Sequence, residues 1–419
     1  MATRPRTPTT RIRQIIETLR SVLRFEPIEL DPVRRRLRRA AGVSDLRRIA
    51  RRRLPRGVFD YIDGGAEDEL TLRANNGAFR RIGFVPRVLR DVGTVDPSTT
   101  LLGKPIPIPL VLAPTGFTRI ADPAGELAVA RAAARARLPY TLSTLGTRSI
   151  EEVSAASSGR LWFQVYVWRD RGIVKEMVDR AASAGYEALV LTVDTSVQGR
   201  RERDVRHGFT LPPKIGLDTL FDGMLHPAWT WTFVRAEPIK FANVVGQEVG
   251  DGSDPVSLAD YINTQFDPTL SWHDVDWLRD IWSGPIVIKG IQSVEDSRLA
   301  ADIGIEAIAL SNHGGRQLDG APAPVDLVAA VADAVGERTE IICDGGVRRG
   351  SDIVKAVALG ARACMAGRAH FYALAAAGER GVDHVLSVLD ADVRRTMALI
   401  GARDVGELGP ELLALPSGA

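Results

Sequence analysis

The chain of 419 residues is 45% apolar, enough to bury one large core, so one main domain is expected rather than two. Two cysteines cannot form a disulfide framework, no metal-ligand constellation is present, and neither an apolar signal core nor an uncharged apolar run of 18 residues occurs. A cytoplasmic protein that neither crosses a bilayer nor binds a metal is expected, with a formal net charge of +2 that is unevenly spread: residues 1–56 carry 17 arginines against five acids, leaving 37 basic and 47 acidic residues in the remainder.

In chain order, residues 1–42 read as a basic extension, open to contact with nucleic acid, anionic lipid or an acidic partner, or simply as a solvated helical face. Residues 43–419 read as the main domain. Eight short apolar, β-rich runs follow: Leu110 to Ala113, Tyr140 to Leu142, Leu161 to Val167, Ala188 to Val193, Ile286 to Ile288, Ala307 to Leu310, Glu340 to Cys343 and Ala363 to Ala366. Helical patterns are interleaved with them at Glu126 to Arg137, Ile150 to Ala156, Ile173 to Ala184, Val294 to Ile303, Pro324 to Val335, Asp352 to Leu359 and Val382 to Leu399. Alternation of strand and helix calls for a parallel sheet, and eight units close it into a (β/α)8 TIM barrel. A Rossmann-like open sheet is disfavoured, because no G-x-G-x-x-G opens the first helix and the string Gly345 to Gly350 lacks the central glycine.

The connection after the fourth strand is anomalous, with 92 positions from Asp194 to Ile286 and an insertion at about 202–270. Leu220, Phe221, Met224, Leu225, Trp229, Trp231, Phe233 and Phe241 are concentrated there among Lys214, His226, Arg235 and Lys240. Tryptophans beside cations suit a bilayer interface, and a lid or subunit contact that buries the same aromatics is the other reading.

Two loops carry chemistry. Ser311 to Asp319 (SNHGGRQLD) delivers His313 and Arg316 just past a strand's C-terminal end, where barrel enzymes hold their reactive groups, and Gly314 and Gly315 let backbone approach a ligand. A lone histidine is more often structural, so the motif gains weight only from company. Asp344-Gly345-Gly346-Val347-Arg348 after the seventh strand and Gly367-Arg368 after the eighth provide bare amides and guanidinium groups for a phosphate; the bland reading of the glycines is a tight strand-to-helix turn.

These loops, with Thr192-Val193-Asp194 to Arg201, Phe163-Gln164-Val165-Tyr166, Ala113-Pro114-Thr115-Gly116 and Tyr61 followed by Gly64-Gly65-Ala66-Glu67-Asp68, resemble in order, from about Asp45 to Ile400, the FMN-dependent 2-hydroxy-acid dehydrogenase/oxidase family, nearest to its bacterial quinone-dependent L-lactate dehydrogenase branch. The resemblance implies FMN as cofactor, L-lactate oxidised to pyruvate with electrons passed to quinone, a homotetramer, no nucleic-acid partner, and a place in the cytoplasm or peripherally on the inner face of the cell membrane. It implies that Lys289 stands by the flavin N1, that Ser143, Gln164 and Thr192 bond the ring edge, that Pro114, Thr115 and Gly116 lie against the ring, and that Ser311, Asp344, Gly345, Gly346, Arg348, Gly367 and Arg368 hold the ribityl phosphate. On the substrate side it implies a carboxylate clamp of Arg201 and Arg316 with Tyr61, Tyr166 on the hydroxyl, His313 as base and Asp194 as the group that orients it. Gly116 stands where oxidase-like members carry alanine and Leu145 where they carry a large ring, and the first 42 residues have no counterpart in the compact oxidases. An oxygen-using oxidase or monooxygenase of glycolate, mandelate or another hydroxy acid is the alternative within enzymes; a non-catalytic scaffold barrel is the alternative outside them.

Overall fold

The computed structural model describes residues 17–19, 29–207, 217–244 and 264–415, and for 217–220 the backbone alone. The chain divides into two compact units, Met1–Arg39 and Ala40–Ala419. In the first, Asp31 caps a short helix, Pro32–Leu37, by accepting from the backbone N–H groups of Val33 and Arg34.

The second unit is built on eight parallel strands closed into a barrel: β1 (Leu110–Leu112), β2 (Tyr140–Ser143), β3 (Leu161–Val165), β4 (Ala188–Thr192), β5 (Ile286–Ile291), β6 (Ala307–Ser311), β7 (Glu340–Asp344) and β8 (Ala363–Ala366). β8 pairs with β1 to complete the ring, as the strand–helix alternation requires. Strand residues are buried on both faces almost throughout, which is why these segments read as continuous apolar runs. Alternate positions point inward, so Val111, Ala113, Ala188, Val190, Ala307, Ala309, Ala363 and Met365 fill the barrel together with Trp162, Val287 and Ile342.

An antiparallel hairpin, Thr99–Leu101 with Lys104–Ile106, inserts Leu101 and Ile106 into the same core. Its backbone is tied to the strands' N-terminal ends, where Glu340 accepts from the Leu102 N–H and Arg160 donates to the Leu101 carbonyl. That mouth is thereby plugged, and the C-terminal mouth is left for a ligand.

The surrounding helices are α1 (Gly125–Ala136), α2 (Ile150–Ala156), α3 (Arg171–Ser183), α4 (His273–Ile281), α5 (Val294–Asp302), α6 (Pro324–Val335), α7 (Gly350–Ala358) and α8 (Arg368–Ile400). α4 was not among the expected helices; it lies in the long connection after β4, just beyond the insertion at about 202–270. α8 begins fourteen residues before the expected Val382, since the alanine-rich turn from Arg368 is helical up to a kink at Ala377 and Gly378, the latter at φ 61°. α7 starts at Gly350, two residues early, because Asp352 sits at its N3 position and accepts from the Arg348 and Arg349 N–H groups.

Candidate active site

A cavity of about 250 Å³ opens at the C-terminal mouth. Its lining brings together Tyr61, Pro114, Thr115, Gly116, Ser143, Gln164, Tyr166, Thr192, Arg201, Lys289, His313, Arg316, Asp344, Gly345, Gly346, Arg348, Gly367 and Arg368, all singled out from sequence. The two remaining expected residues, Asp194 and Ser311, stand behind the wall and hold residues that form it.

Asp194 follows β4, and its buried carboxylate meets His313 Nδ1 at 2.9 Å, leaving His313 Nε2 as the ring's other nitrogen. Burial works against the Asp194 charge, but the His313 ring and Lys289 outweigh it and hold the carboxyl below its ordinary range. The approach is close enough to dictate sequence: a Cβ on Gly290, at φ 113° in an irregularity of β5, would lie 2.8 Å from Asp194 Cβ. Gln317 accepts from the Gly199 N–H and donates to the Asp194 carbonyl, pinning the loop that carries Asp194 and Arg201.

Lys289 is buried with its Nζ 2.9 Å from Asp344 Oδ2 and 3.1 Å from Ser311 Oγ, and Ser311 donates to the same carboxylate oxygen. Burial disfavours the ammonium; Asp344 and Asp194 more than compensate, so it stays protonated. Asp344, expected to face ribityl hydroxyls, therefore also neutralises this lysine.

Arg316 and Arg201 both lie against the Tyr61 ring, with guanidinium carbons 5.1 and 6.0 Å from its centroid. Arg316 Nη1 donates to the Tyr61 carbonyl, and Arg201 Nε to Asp204. Burial, with Arg201 alongside, draws the Arg316 pKa down to about 10, so two like charges are held together and an anion between them would relieve the repulsion. Burial, with Asp194 and Tyr61 nearby, raises the Tyr166 phenol and keeps it a donor.

In the phosphate-type loops the structure separates two reasons for glycine. At Gly346, φ is 81° and a Cβ would fall 2.1 Å from the Asn75 carbonyl oxygen, so the backbone demands glycine whatever binds there. Gly367, the N-cap of α8, has an ordinary φ of −95° and would meet protein no closer than 3.7 Å, so its missing side chain keeps space clear in the cavity. Arg368 donates to the carbonyls of Ile62, Gly64 and Gly314, which makes it a strut between loops as well as a charge at the wall.

Two further atoms report on what the cavity suits. Gln164 Nε2 and Thr192 Oγ1, at the ends of β3 and β4, are buried at the cavity wall with no hydrogen-bond partner. A planar ring with polar edge atoms would satisfy both, so the donor set fits a flavin.

The family model for FMN-dependent dehydrogenases matches residues 50–415. The chain belongs to this family. It is an FMN-dependent oxidoreductase on a (β/α)8 barrel, similar along most of its length to named hydroxy-acid dehydrogenases. An L-lactate dehydrogenase of Caulobacter vibrioides is 45% identical over 375 residues, 89% of this chain and 97% of that protein. An (S)-mandelate dehydrogenase of Pseudomonas putida is 42% identical over 372 residues, 89% and 93%. A crystal structure described as the monotopic membrane protein (S)-mandelate dehydrogenase superposes with a TM-score of 0.87 at 42% identity, covering 90% of this chain and all of that one. A scaffold that had lost its chemistry would show damage at His313, Arg316 and Lys289; all three are in place.

Sequence reasoning missed Thr195, Gln198, Gln317 and Phe266 in this wall. Gln317 was adjacent to the recognised Arg316 and could have been found; Phe266 sits where the insertion returns to the barrel and had no periodic signal. Phe241, grouped from sequence with the interfacial aromatics, is corrected: it is buried, lines the cavity, and meets the Phe117 ring at a tilt of 33° with centroids 5.7 Å apart. Leu220 and Lys214, also in that group, lie outside the residues whose side chains are described.

Proposed function

We propose that the protein oxidises L-lactate to pyruvate and passes the electrons to a membrane quinone. The observation that carries the reading is that His313, paired with Asp194, lines one cavity together with Arg201 and Arg316. A 2-hydroxy acid offers a carboxylate and a hydroxyl on neighbouring carbons, and the cavity offers a cation pair for the first and a base for the second. Arg201 and Arg316, with Tyr61, clamp the carboxylate in the forked geometry that a lysine lacks. Tyr166 bonds the hydroxyl, and His313 Nε2 takes a proton as the C2 carbinol becomes a ketone. Asp194 fixes the ring's orientation and offsets the imidazolium charge. FMN, when bound there, would supply the acceptor for the two electrons and the second of the two hydrogens lost from the carbinol.

For the cofactor, Ser143, Gln164, Thr192 and Lys289 serve the ring edge, and the Pro114–Gly116 backbone supports the ring. Ser311, Asp344, Gly345, Gly346, Arg348, Gly367 and Arg368 serve the ribityl chain and phosphate. L-Lactate is favoured by the names of relatives and by Leu145 in the wall, whose modest side chain suits a methyl group.

Quinone is supported by an exposed apolar hairpin of two helices, Leu217–Leu225 and Pro227–Arg235. It presents Phe221, Met224, Leu225, Trp231 and Val234 to solvent, with the Arg235 guanidinium 3.8 Å above the Trp231 ring. No described helix is long and apolar enough to cross a membrane, so this hairpin suits a place on the surface.

Anaerobic rapid mixing of the holoenzyme with L-lactate, glycolate and (S)-mandelate tests the substrate: bleaching of the oxidised flavin should be fastest with L-lactate. Preference for glycolate or mandelate would overturn the substrate, and reoxidation faster with oxygen than with a ubiquinone analogue would overturn the acceptor.

A further inference from the structure

The long insertion returns to the active-site mouth twice, and each return delivers a phenylalanine. Phe241 follows the exposed hairpin and Phe266 precedes α4, and both line the cavity beside Leu145 and Tyr166.

Both are firmly docked. Around Phe241, the Ala242 N–H donates to the Gly146 carbonyl, and buried Asn243 accepts from the Ile150 N–H, fastening the segment to the β2–α2 turn that carries Leu145. Around Phe266, the backbone bridges to Trp168, the Arg169 N–H donates to the Gln265 carbonyl, and Asp267 pairs with Arg171 at 3.0 Å, fastening it to the loop after β3 that carries Tyr166. The Phe266 ring meets the Tyr166 ring edge-on, centroids 5.3 Å apart at 67°.

The polar wall of the cavity is accounted for by the charged and hydrogen-bonding groups, which address the carboxylate and hydroxyl. What remains for the third substituent on C2 is apolar lining, and the part of it shown against Tyr166 is the Phe266 ring, with Leu145 and Phe241 in the same cavity. We infer that Phe266, with Phe241 lining the same cavity, is a specificity-determining residue that reads the hydroxy acid's side chain and restricts the enzyme to short aliphatic ones. The inference rests on the proposed 2-hydroxy-acid chemistry. It assigns to the two ends of the insertion a role in substrate choice, separate from any role of its exposed hairpin.

Phe266→Ala removes a ring from that wall, and Phe266→Leu restores most of its bulk. Each additional methylene accommodated in an apolar pocket is worth about 10-fold or more in discrimination. Relative to wild type, Phe266→Ala should therefore raise the ratio of flavin-reduction efficiency with L-2-hydroxyisocaproate over that with L-lactate by about 10-fold or more, and Phe266→Leu should return it most of the way. Calorimetric binding of oxalate, which has no side chain, should be unchanged, showing the clamp intact. Phe241→Ala should move the ratio in the same direction. If wild type reduces its flavin with lactate and the ratio does not move in Phe266→Ala, the specificity role is overturned while the chemistry stands. A ratio that stays fixed while ubiquinone-driven reoxidation slows would assign the ring to the acceptor path, and also overturn it. If no 2-hydroxy acid reduces the wild-type flavin, the underlying reading fails instead.

Discussion

His313 sits at φ 56°, in the left-handed region that costs a side-chain-bearing residue about 1–2 kcal/mol, and the two residues after it, Gly314 and Gly315, continue in the same region. The turn persists because its surroundings fix it: Ser311 accepts from the His313 N–H, and a Cβ on Gly315 would lie 2.6 Å from the Leu72 nitrogen. The turn carries the imidazole to Asp194 at the cavity wall. Testing the base by substitution must therefore respect the backbone. Asparagine is among the residues that tolerate this region best, so His313→Asn removes the imidazole and leaves the turn. The variant should retain FMN, and its flavin reduction by L-lactate should fall about 10²–10⁴-fold, the usual contribution of a positioned base. Stopped-flow absorbance and the flavin released on denaturation check both halves; a variant reduced at the wild-type rate would move the base elsewhere.

At the scale of elements, the active-site loops depend on an ion cluster that no local pattern reveals. Asp63 ends the helix Arg56–Asp63 and accepts from Arg47 of the helix Val43–Arg53 at 2.5 and 2.7 Å, from Arg203 of the helix Glu202–Arg206 at 2.9 Å, and from Tyr372 of α8 at 2.6 Å. One residue on, the Gly64 carbonyl accepts from both Arg316 and Arg368. Burial opposes the Asp63 charge, but these donors prevail and hold its carboxyl below the ordinary range. Its stabilising contribution is therefore complete above the unfolded carboxylate pKa of about 4 and is lost as pH falls below it. Asp63→Asn should destabilise the protein at pH 7 by about 3 kcal/mol, the lower end for a broken buried ion pair, because Arg47 is 42% exposed and water screens it. The loss relative to wild type should shrink towards pH 3, as followed by urea denaturation; equal midpoints at pH 7 would refute the cluster's role. Such a cluster joins residues up to 325 positions apart, which is why it was not legible from sequence, whereas β3 or α6 was: a local apolar period or an N-terminal proline announces each. The site was legible where strand ends meet glycine-rich turns, as at Asp344 to Arg348. It was not legible where the insertion folds back, as at Phe266, because nothing local records which distant loop a segment will rest on.

For the molecule as a whole, the proposed chemistry and the proposed acceptor sit on different parts of one unit, the barrel mouth and the exposed hairpin, and the hairpin is attached firmly enough to present a surface. Trp229 donates through Nε1 to the Ile120 carbonyl and stacks on Phe233 with centroids 4.7 Å apart, while buried Arg119 donates to the Glu237 and Pro238 carbonyls where the hairpin ends. Trp229 is thus an anchor into the protein, and its substitution would confuse loss of membrane contact with loss of the hairpin. The outward residues are the cleaner test: Trp231 is 60% exposed, Met224 68% and Leu225 76%. Burying each in an interface would contribute about 1.5–3 kcal/mol. The triple substitution Met224→Ser, Leu225→Ser and Trp231→Ser should therefore abolish flotation with liposomes of bacterial lipid composition. Reduction of the flavin by L-lactate should stay unchanged, and turnover with a membrane-embedded quinone should fall. If arginines of the first 56 residues meet anionic lipid as well, each would contribute about 1 kcal/mol, and raising salt should then weaken binding of the wild type without abolishing it. A wild type that fails to float at low salt, or a triple variant that floats as well as the wild type, would assign the hairpin to contact with another protein surface.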